Sequence, residues 1–274
     1  MPEPPTAARR PRLAWPNRCA VCRSGTRGAT GRLCDDCLRR HAPPRPRCRR
    51  CALAVPAGVV LCGACLRAPP PWSAAIALAD YGYPWDGLLA ALKFRAALDL
   101  VPALGDALAA RVPLHAPHPP DPERLHPPAR EGSQGPREPR KQQDPGRECT
   151  GPTAVALLLP VPLADVRLRE RGYNQAALLA QRLARRLRLP CAPQALRRTR
   201  DTGHQLALPR EQGAANVRGA FAVAPRTAGV LRGRRVALVD DVMTTGATLA
   251  EAARVLLAAG AAEVQAWVVA RTPD

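Results

Sequence analysis

Val236-Ala-Leu-Val-Asp-Asp-Val-Met-Thr-Thr-Gly-Ala-Thr-Leu-Ala-Glu251 is the stretch on which the reading of this chain turns. Val236 to Val239 form a short apolar run of the kind that fills a buried parallel strand. Asp240 and Asp241 follow at its C-terminal edge, where open α/β sheets present their ligands. The loop Thr244, Thr245, Gly246, Ala247 and Thr248 combines small residues, which let backbone amides come close to a ligand, with hydroxyls that donate to phosphate oxygens. Ala247 to Ala259 is rich in strong helix formers, so a helix starts directly behind the loop and its dipole reinforces anion binding. Two adjacent carboxylates repel phosphate but suit the vicinal hydroxyls of a ribose, directly or beside a Mg²⁺ ion held mainly by the substrate's own oxygens. The set as a whole implies a ribose 5-phosphate. A plain capped helix after an acidic turn needs one Thr or Asp, not this combination.

Working outward, the chain alternates in an α/β manner. Glu263 to Val269 reads as a closing strand, and Ala220 to Val223 as a short one. Ala154 to Leu159 is a continuous apolar run, broken by Pro160, Val161 and Pro162. Arg167, Arg169 and Arg171 then alternate along what reads as a basic loop ending in Gly172, Tyr173, Asn174 and Gln175. A helix from Asn174 to about Arg188 follows, with Ala177, Leu178, Leu179, Leu183 and Leu187 at helical spacing. Strand, basic loop and helix N-terminus in that order would suit an anion, although a solvated loop fits the arginines equally. Arg197 to Gln205, with His204 inside it, is a polar stretch of the functional-loop type leading on to Asn216. Further upstream, Trp72 to Tyr83 reads as a strand, and Trp85 to Phe94 and Leu98 to Arg111 as amphipathic helices. Lys93 stands where a cation complements a helix C-terminus.

Eight of the ten cysteines fall as Cys-x-x-Cys pairs: Cys19/Cys22, Cys34/Cys37, Cys48/Cys51 and Cys62/Cys65. Each pair on a tight turn aims two thiolates at one ion, and two pairs complete a tetrahedral site, so four pairs accommodate two structural zinc ions. Sequential pairing would join Cys19, Cys22, Cys34 and Cys37 at one ion and Cys48, Cys51, Cys62 and Cys65 at the other. A crossed arrangement is the alternative, at the cost of closing longer loops. Four thiolates per ion leave no open coordination position, so the zinc holds a segment too poor in apolar residues to fold alone. Cys149 and Cys191 lie outside this scheme.

With 274 residues, the chain suffices for one α/β domain and a smaller module. Its net charge of +19 points to polyanionic partners, or, because nearly all the cations are arginine and Ala and Pro abound, to the codon bias of a GC-rich genome. Nine aromatic residues are too few for a broad base-stacking surface. No signal-peptide core or membrane-spanning apolar run is visible, so a cytoplasmic protein without membrane insertion, its thiols reduced, is expected. Pro113 to Pro152 is dominated by Pro, charge, Gly and Gln and reads as a disordered insertion. His115, His118 and His126 within it are scattered without a scaffold to make them ligands.

Taken in order, the four cysteine pairs, Leu92-Lys93-Phe94, Pro160-Val161-Pro162-Leu163, Arg169-Glu170-Arg171-Gly172-Tyr173-Asn174-Gln175, Gln205, Asn216 and the loop after Asp241 resemble the ComF family. The Val236 to Thr248 segment is itself similar to the phosphoribosyl-pyrophosphate (PRPP) motif of type I phosphoribosyltransferases. The resemblance implies an α/β fold, a type I phosphoribosyltransferase-like parallel sheet flanked by helices, with a small N-terminal double zinc ribbon. With the composition shifts along the chain, the expected organisation is a disordered N-terminus over 1–14, the ribbon over 15–70, the main domain over 71–112 and 153–274, and a disordered insertion over 113–152. The resemblance further implies PRPP or ribose 5-phosphate as ligand, with Mg²⁺, Asp240 and Asp241 on the ribose hydroxyls and Thr244 to Thr248 around the 5-phosphate. Arg167, Arg169 and Arg171 are candidates for the pyrophosphate side. Members are linked to DNA uptake in naturally competent bacteria, so single-stranded DNA and a DNA uptake helicase are the expected partners, and a non-catalytic binding or scaffold role is the alternative to transfer. Two departures stand out: the insertion, and Gly213, where members usually carry an arginine that would help handle pyrophosphate.

Overall fold

The computed structural model describes residues 18–26, 31–113, 155–200 and 217–273. The expected disordered N-terminus, the insertion beyond Pro113, Cys149, and the polar stretch holding His204, Gln205, Gly213 and Asn216 lie outside these residues.

Four parallel strands make the main sheet: β1 (Ala74–Asp80), β2 (Leu157–Pro160), β5 (Arg235–Met243) and β6 (Glu263–Arg271), in the order β1-β6-β5-β2. A separate antiparallel pair joins β3 (Leu196–Arg198) to β4 (Phe221–Val223). The helices are α1 (Asp35–His41), α2 (Gly63–Arg67), α3 (Trp85–Phe94), α4 (Val101–Ala109), α5 (Asp165–Arg171), α6 (Gln175–Leu187), α7 (Ala228–Leu231) and α8 (Ala247–Ala258). Among the described residues, no helix is long and apolar enough to cross a membrane.

Alternation along each strand divides the core in two. On one face, Leu158, Ala237, Val239, Trp267 and Val269 pack with α3, α4 and α6 through Leu89, Leu92, Leu104, Leu108, Leu179 and Leu183. On the other, Leu157, Leu159, Val236, Leu238, Ala266 and Val268 pack with α8 through Leu249, Ala252, Ala253 and Leu256. Neighbouring strands β2 and β5 are thus followed by helices on opposite faces, which opens a crevice between their C-terminal ends; open α/β sheets bind ligands at such switch points. Gly105 allows α4 to approach α6 closely, because a Cβ there would stand 2.5 Å from Cγ of Arg182. The same Arg182 donates from Nε and Nη2 to the Asp106 carboxylate at 2.7 and 2.5 Å, fixing the register of the two helices.

Two expected element boundaries change. The strand ending at Val239 in the sequence reading continues through both aspartates to Met243, because its ladder to β6 persists at Asp240↔Val268 and Met243↔Arg271. β2 stops at Pro160, opposite Val239, so the aspartates emerge beyond its end, on the crevice side of β5. The expected basic loop at Arg167 to Arg171 is instead helix α5, closed by Gly172 in the left-handed region at φ 77°. The spacing of alternate arginines masked it, while the glycine cap was the signal for a helix C-terminus.

Candidate functional site

The Thr244 to Thr248 loop turns sharply from β5 into α8. Gly246 is the N-cap residue, at φ 80°, and without a side chain it cannot satisfy the first amides of the helix. Thr244 and Thr245 are exposed and Thr248 half-buried, so hydroxyls surround those amides. Thr245 Oγ1 accepts from Ala247 N at 3.3 Å. The expected anion position at the start of α6 fares differently. There Asn174 Oδ1 accepts from Ala176 N and Ala177 N at 2.9 and 3.3 Å, while its Nδ2 donates to Val161 O at 3.0 Å. The N-cap side chain of α6 already holds two of its amides, whereas at α8 the N-cap is glycine and only the Ala247 amide is met, by Thr245, so of the two helices flanking the crevice it is α8 that offers amides to an anion.

The acidic pair is asymmetric. Asp241 is buried, and Lys93 Nζ lies 2.5 Å from its Oδ2. The Gln175 amide, itself buried, stands 3.5 Å from Asp241 Oδ1 and accepts from Arg171 Nη1 at 2.6 Å. Asp240 is half-buried, and its Oδ1 accepts from Asp241 N at 2.8 Å. Burial, and next the Asp241 carboxylate, push Asp240 well above the usual carboxylate range, with Lys93 opposing. Lys93, expected as a helix-terminal charge, is therefore the counter-ion of the site. Only a contact across the sheet crevice reveals that role; its sequence position suits a cap just as well.

Of the arginines expected on the pyrophosphate side, Arg171 reaches the acidic pair through Gln175, and its guanidinium lies 5.5 Å from the Phe94 ring centroid. Arg167 and Arg171, four apart, share one face of α5, while Arg169 turns roughly 200° from Arg167 and is exposed. The three do not converge on one point.

Two cysteine clusters form with sequential pairing: Cys19, Cys22, Cys34 and Cys37, and Cys48, Cys51, Cys62 and Cys65, with the sulfurs of each within 4.8 Å of one another. Sulfur separations of 3.7 Å for Cys22/Cys34 and 3.6 Å for Cys51/Cys62 match the ~3.8 Å that tetrahedral Zn–S bonds of ~2.3 Å require. Backbone amides point at the sulfurs, as from Cys34 N to Cys19 Sγ at 3.5 Å and from Cys62 N to Cys48 Sγ at 3.3 Å. Such donors stabilise thiolates. Hydrogen bonds to Ser24 lower the Cys22 thiol to about 6, whereas burial and the surrounding sulfurs drive Cys37 and Cys65 far upward. Four thiolates that cannot all ionise without a cation are the donor set of a structural zinc site. Cys191 belongs to neither cluster, and burial pushes its thiol up to about 11.

A parallel sheet with an uncapped Thr-rich loop at its switch point, joined to paired cysteine knuckles, defines a phosphoribosyltransferase-type domain bearing a double zinc ribbon. Residues 153–274 match the phosphoribosyl transferase domain family and residues 11–66 the double zinc ribbon domain. The chain is 33% identical over 260 residues to the DNA utilization protein YhgH of Shigella flexneri and to that of Escherichia coli (strain K12), covering 95% of this chain and 99% of each relative. It is 31% identical over 254 residues to Competence protein F of Haemophilus influenzae (strain ATCC 51907 / DSM 11121 / KW20 / Rd), covering 93% and 96%. The chain belongs to the ComF family.

Proposed function

We propose that the crevice binds PRPP or a related ribose 5-phosphate. The 5-phosphate sits on the α8 amides and the Thr244, Thr245, Gly246, Ala247 and Thr248 loop; Asp240, with Asp241 behind it, engages the ribose hydroxyls. The observation that carries this reading is the uncapped N-terminus of α8 at the β2/β5 switch point, beside a half-buried aspartate. Mg²⁺ would enter with PRPP, held mainly by the ligand's own oxygens. Arg171, which reaches the acidic pair through Gln175, would face the pyrophosphate with Arg167 on the same side of α5, while Arg169 points away from it. Transfer would break the bond from the anomeric carbon to pyrophosphate and form one to an acceptor nitrogen, with the cations stabilising the departing charge. PRPP with Mg²⁺ at ~100 times its Kd should stabilise the wild-type protein by about 2.7 kcal/mol, an upward shift of several degrees in a thermal melt. Asp240→Ala should shift far less; identical responses would sink the assignment.

The names of the relatives, a DNA utilization protein and a competence protein, support a role in DNA uptake; the partners proposed for it are single-stranded DNA and an uptake helicase, in the cytoplasm. A second reading, a non-catalytic nucleic-acid-binding protein, is favoured by Phe94, 73% exposed beside the Arg171 guanidinium, an arrangement open to base stacking. Filter binding of single-stranded DNA should then weaken steeply between low and moderate salt, and Phe94→Ala should weaken it further. A salt-independent signal would argue against phosphate contacts.

A further inference from the structure

The second cysteine cluster and the phosphate loop are joined by two buried struts. The first is Trp72, which is 3% exposed. Its Nε1 donates to Arg50 O at 2.5 Å, and its ring lies so close to the loop that a Cβ on Gly246 would stand 3.0 Å from its Cη2. The second is Arg271, at the end of β6 and 5% exposed. Its Nε donates to Cys51 O at 3.0 Å, and its Nη1 donates to Thr244 O at 2.6 Å, Met243 O at 3.3 Å and Thr272 O. Arg50 and Cys51 are consecutive residues of one zinc knuckle, so adjacent carbonyls of the metal site hold both struts. Among the described residues, no carboxylate pairs with Arg271. Its charge is shared among carbonyls and leaves a positive field under the loop, where a phosphate would gain from it. A cavity of about 420 Å³ opens beside the struts, lined by Cys51, Cys65, Trp72, Thr245 and Gly246 among others.

The first cluster is attached elsewhere. His41 O accepts from Trp85 Nε1 at 2.8 Å, Ala42 O accepts from Arg111, and Arg32 pairs with Asp99. These contacts tie it to α3, α4 and the turn between them, on the sheet face opposite α8.

We infer that zinc in the second cluster and phosphate in the Thr244 to Thr248 loop bind cooperatively, coupled through Trp72 and Arg271. The inference rests on the ribose-phosphate reading of the loop. Coupling is reciprocal, so a ligand in the loop must raise the zinc affinity of the second cluster by the same factor and lower the metal-free fraction open to attack, whereas the first cluster, attached elsewhere, is expected to be unaffected.

The test uses the full chain carrying both zinc ions, challenged with a chelator and N-ethylmaleimide, with alkylation of each cysteine followed by peptide mapping. With PRPP and Mg²⁺ present, Cys48, Cys51, Cys62 and Cys65 should be alkylated about fivefold more slowly, the low end of ordinary allosteric couplings. Cys19, Cys22, Cys34 and Cys37 should react at unchanged rates. Arg271→Lys, which keeps the charge but cannot span both carbonyl sets, should abolish the selective slowing. Trp72→Phe, which keeps a ring but loses the Nε1 donor, should reduce it, so the result does not depend on one variant folding. Equal slowing of both clusters overturns the coupling, as does no slowing in a protein that calorimetry shows to have bound PRPP. Selective slowing that survives in both variants overturns the assignment of the struts. If calorimetry detects no PRPP binding by the wild type, the ribose-phosphate reading fails and the coupling falls with it.

Discussion

Stripping both zinc ions from the full chain is expected to unfold the ribbon region, exposing 18–70 to protease and lowering the melting temperature by more than about 10 °C, since each kcal/mol lost from a domain of this size costs ~2–4 °C. The reason lies in what the second ribbon buries. Its core consists of Cys48, Cys51 and Cys65, with Leu53, Val55, Leu61 and Cys62 partly covered around them. The ligands are the core, and once the metal leaves only the partly covered Leu53, Val55 and Leu61 and the small Ala52 remain to hold the knuckles. Structural zinc contributes on the order of 10 kcal/mol to folding in small zinc modules, far more than these few side chains. The damage should spread, because Leu33 and Ala42 of the first ribbon are part of the main core, packed with Trp85 and Leu108. Limited proteolysis and a thermal melt after chelation check this, and an unchanged melt with zinc quantitatively removed would refute it.

Lys93→Met is expected to cost about 3 kcal/mol in urea denaturation, the low end for breaking a buried pair, because the Lys93 side chain is 26% exposed while that of Asp241 is 4% exposed. The methionine fills the same space, so the loss comes from stranding the Asp241 carboxylate between α3 and α6 and not from a cavity. Lys93→Met combined with Asp241→Asn should recover at least about half of the loss, since the neutral amide no longer needs a cation. Both variants should retain two zinc ions, as Lys93 touches neither cluster. A double variant no more stable than the single one would mean that Lys93 contributes by packing alone.

Much of the fold could be read from the sequence because its signals are local. Trp85 to Phe94 coincides with α3, Gln175 to Leu187 falls within the expected Asn174 to Arg188 helix, and the apolar runs at Leu157 and Val236 are strands. The cysteine spacing likewise anticipates two clusters, and sequential pairing follows from loop length. What stayed hidden depends on contacts between distant residues. Lys93 and Asp241 are 148 positions apart in the chain, and Arg271 and Cys51 are 220 apart. No periodicity or motif spacing encodes such pairs. The arginines of α5 misled for a different reason: alternating polar and apolar residues suit a strand, a loop or one face of a short helix alike, and tertiary context decides among them.

β6 pairs on one side with β1 and on the other with β5, and within the main sheet it is the strand that joins them. β1 is made early and β5 late; β5 can pair with β2 at once, but β1 has no neighbour in the sheet until β6, made after both, has left the ribosome. The zinc knuckles can close as soon as their cysteines emerge, whereas the crevice waits for nearly the whole described chain. Metal capture during synthesis therefore comes long before ligand capture, and a nascent chain stalled before Glu263 would carry zinc without a working crevice.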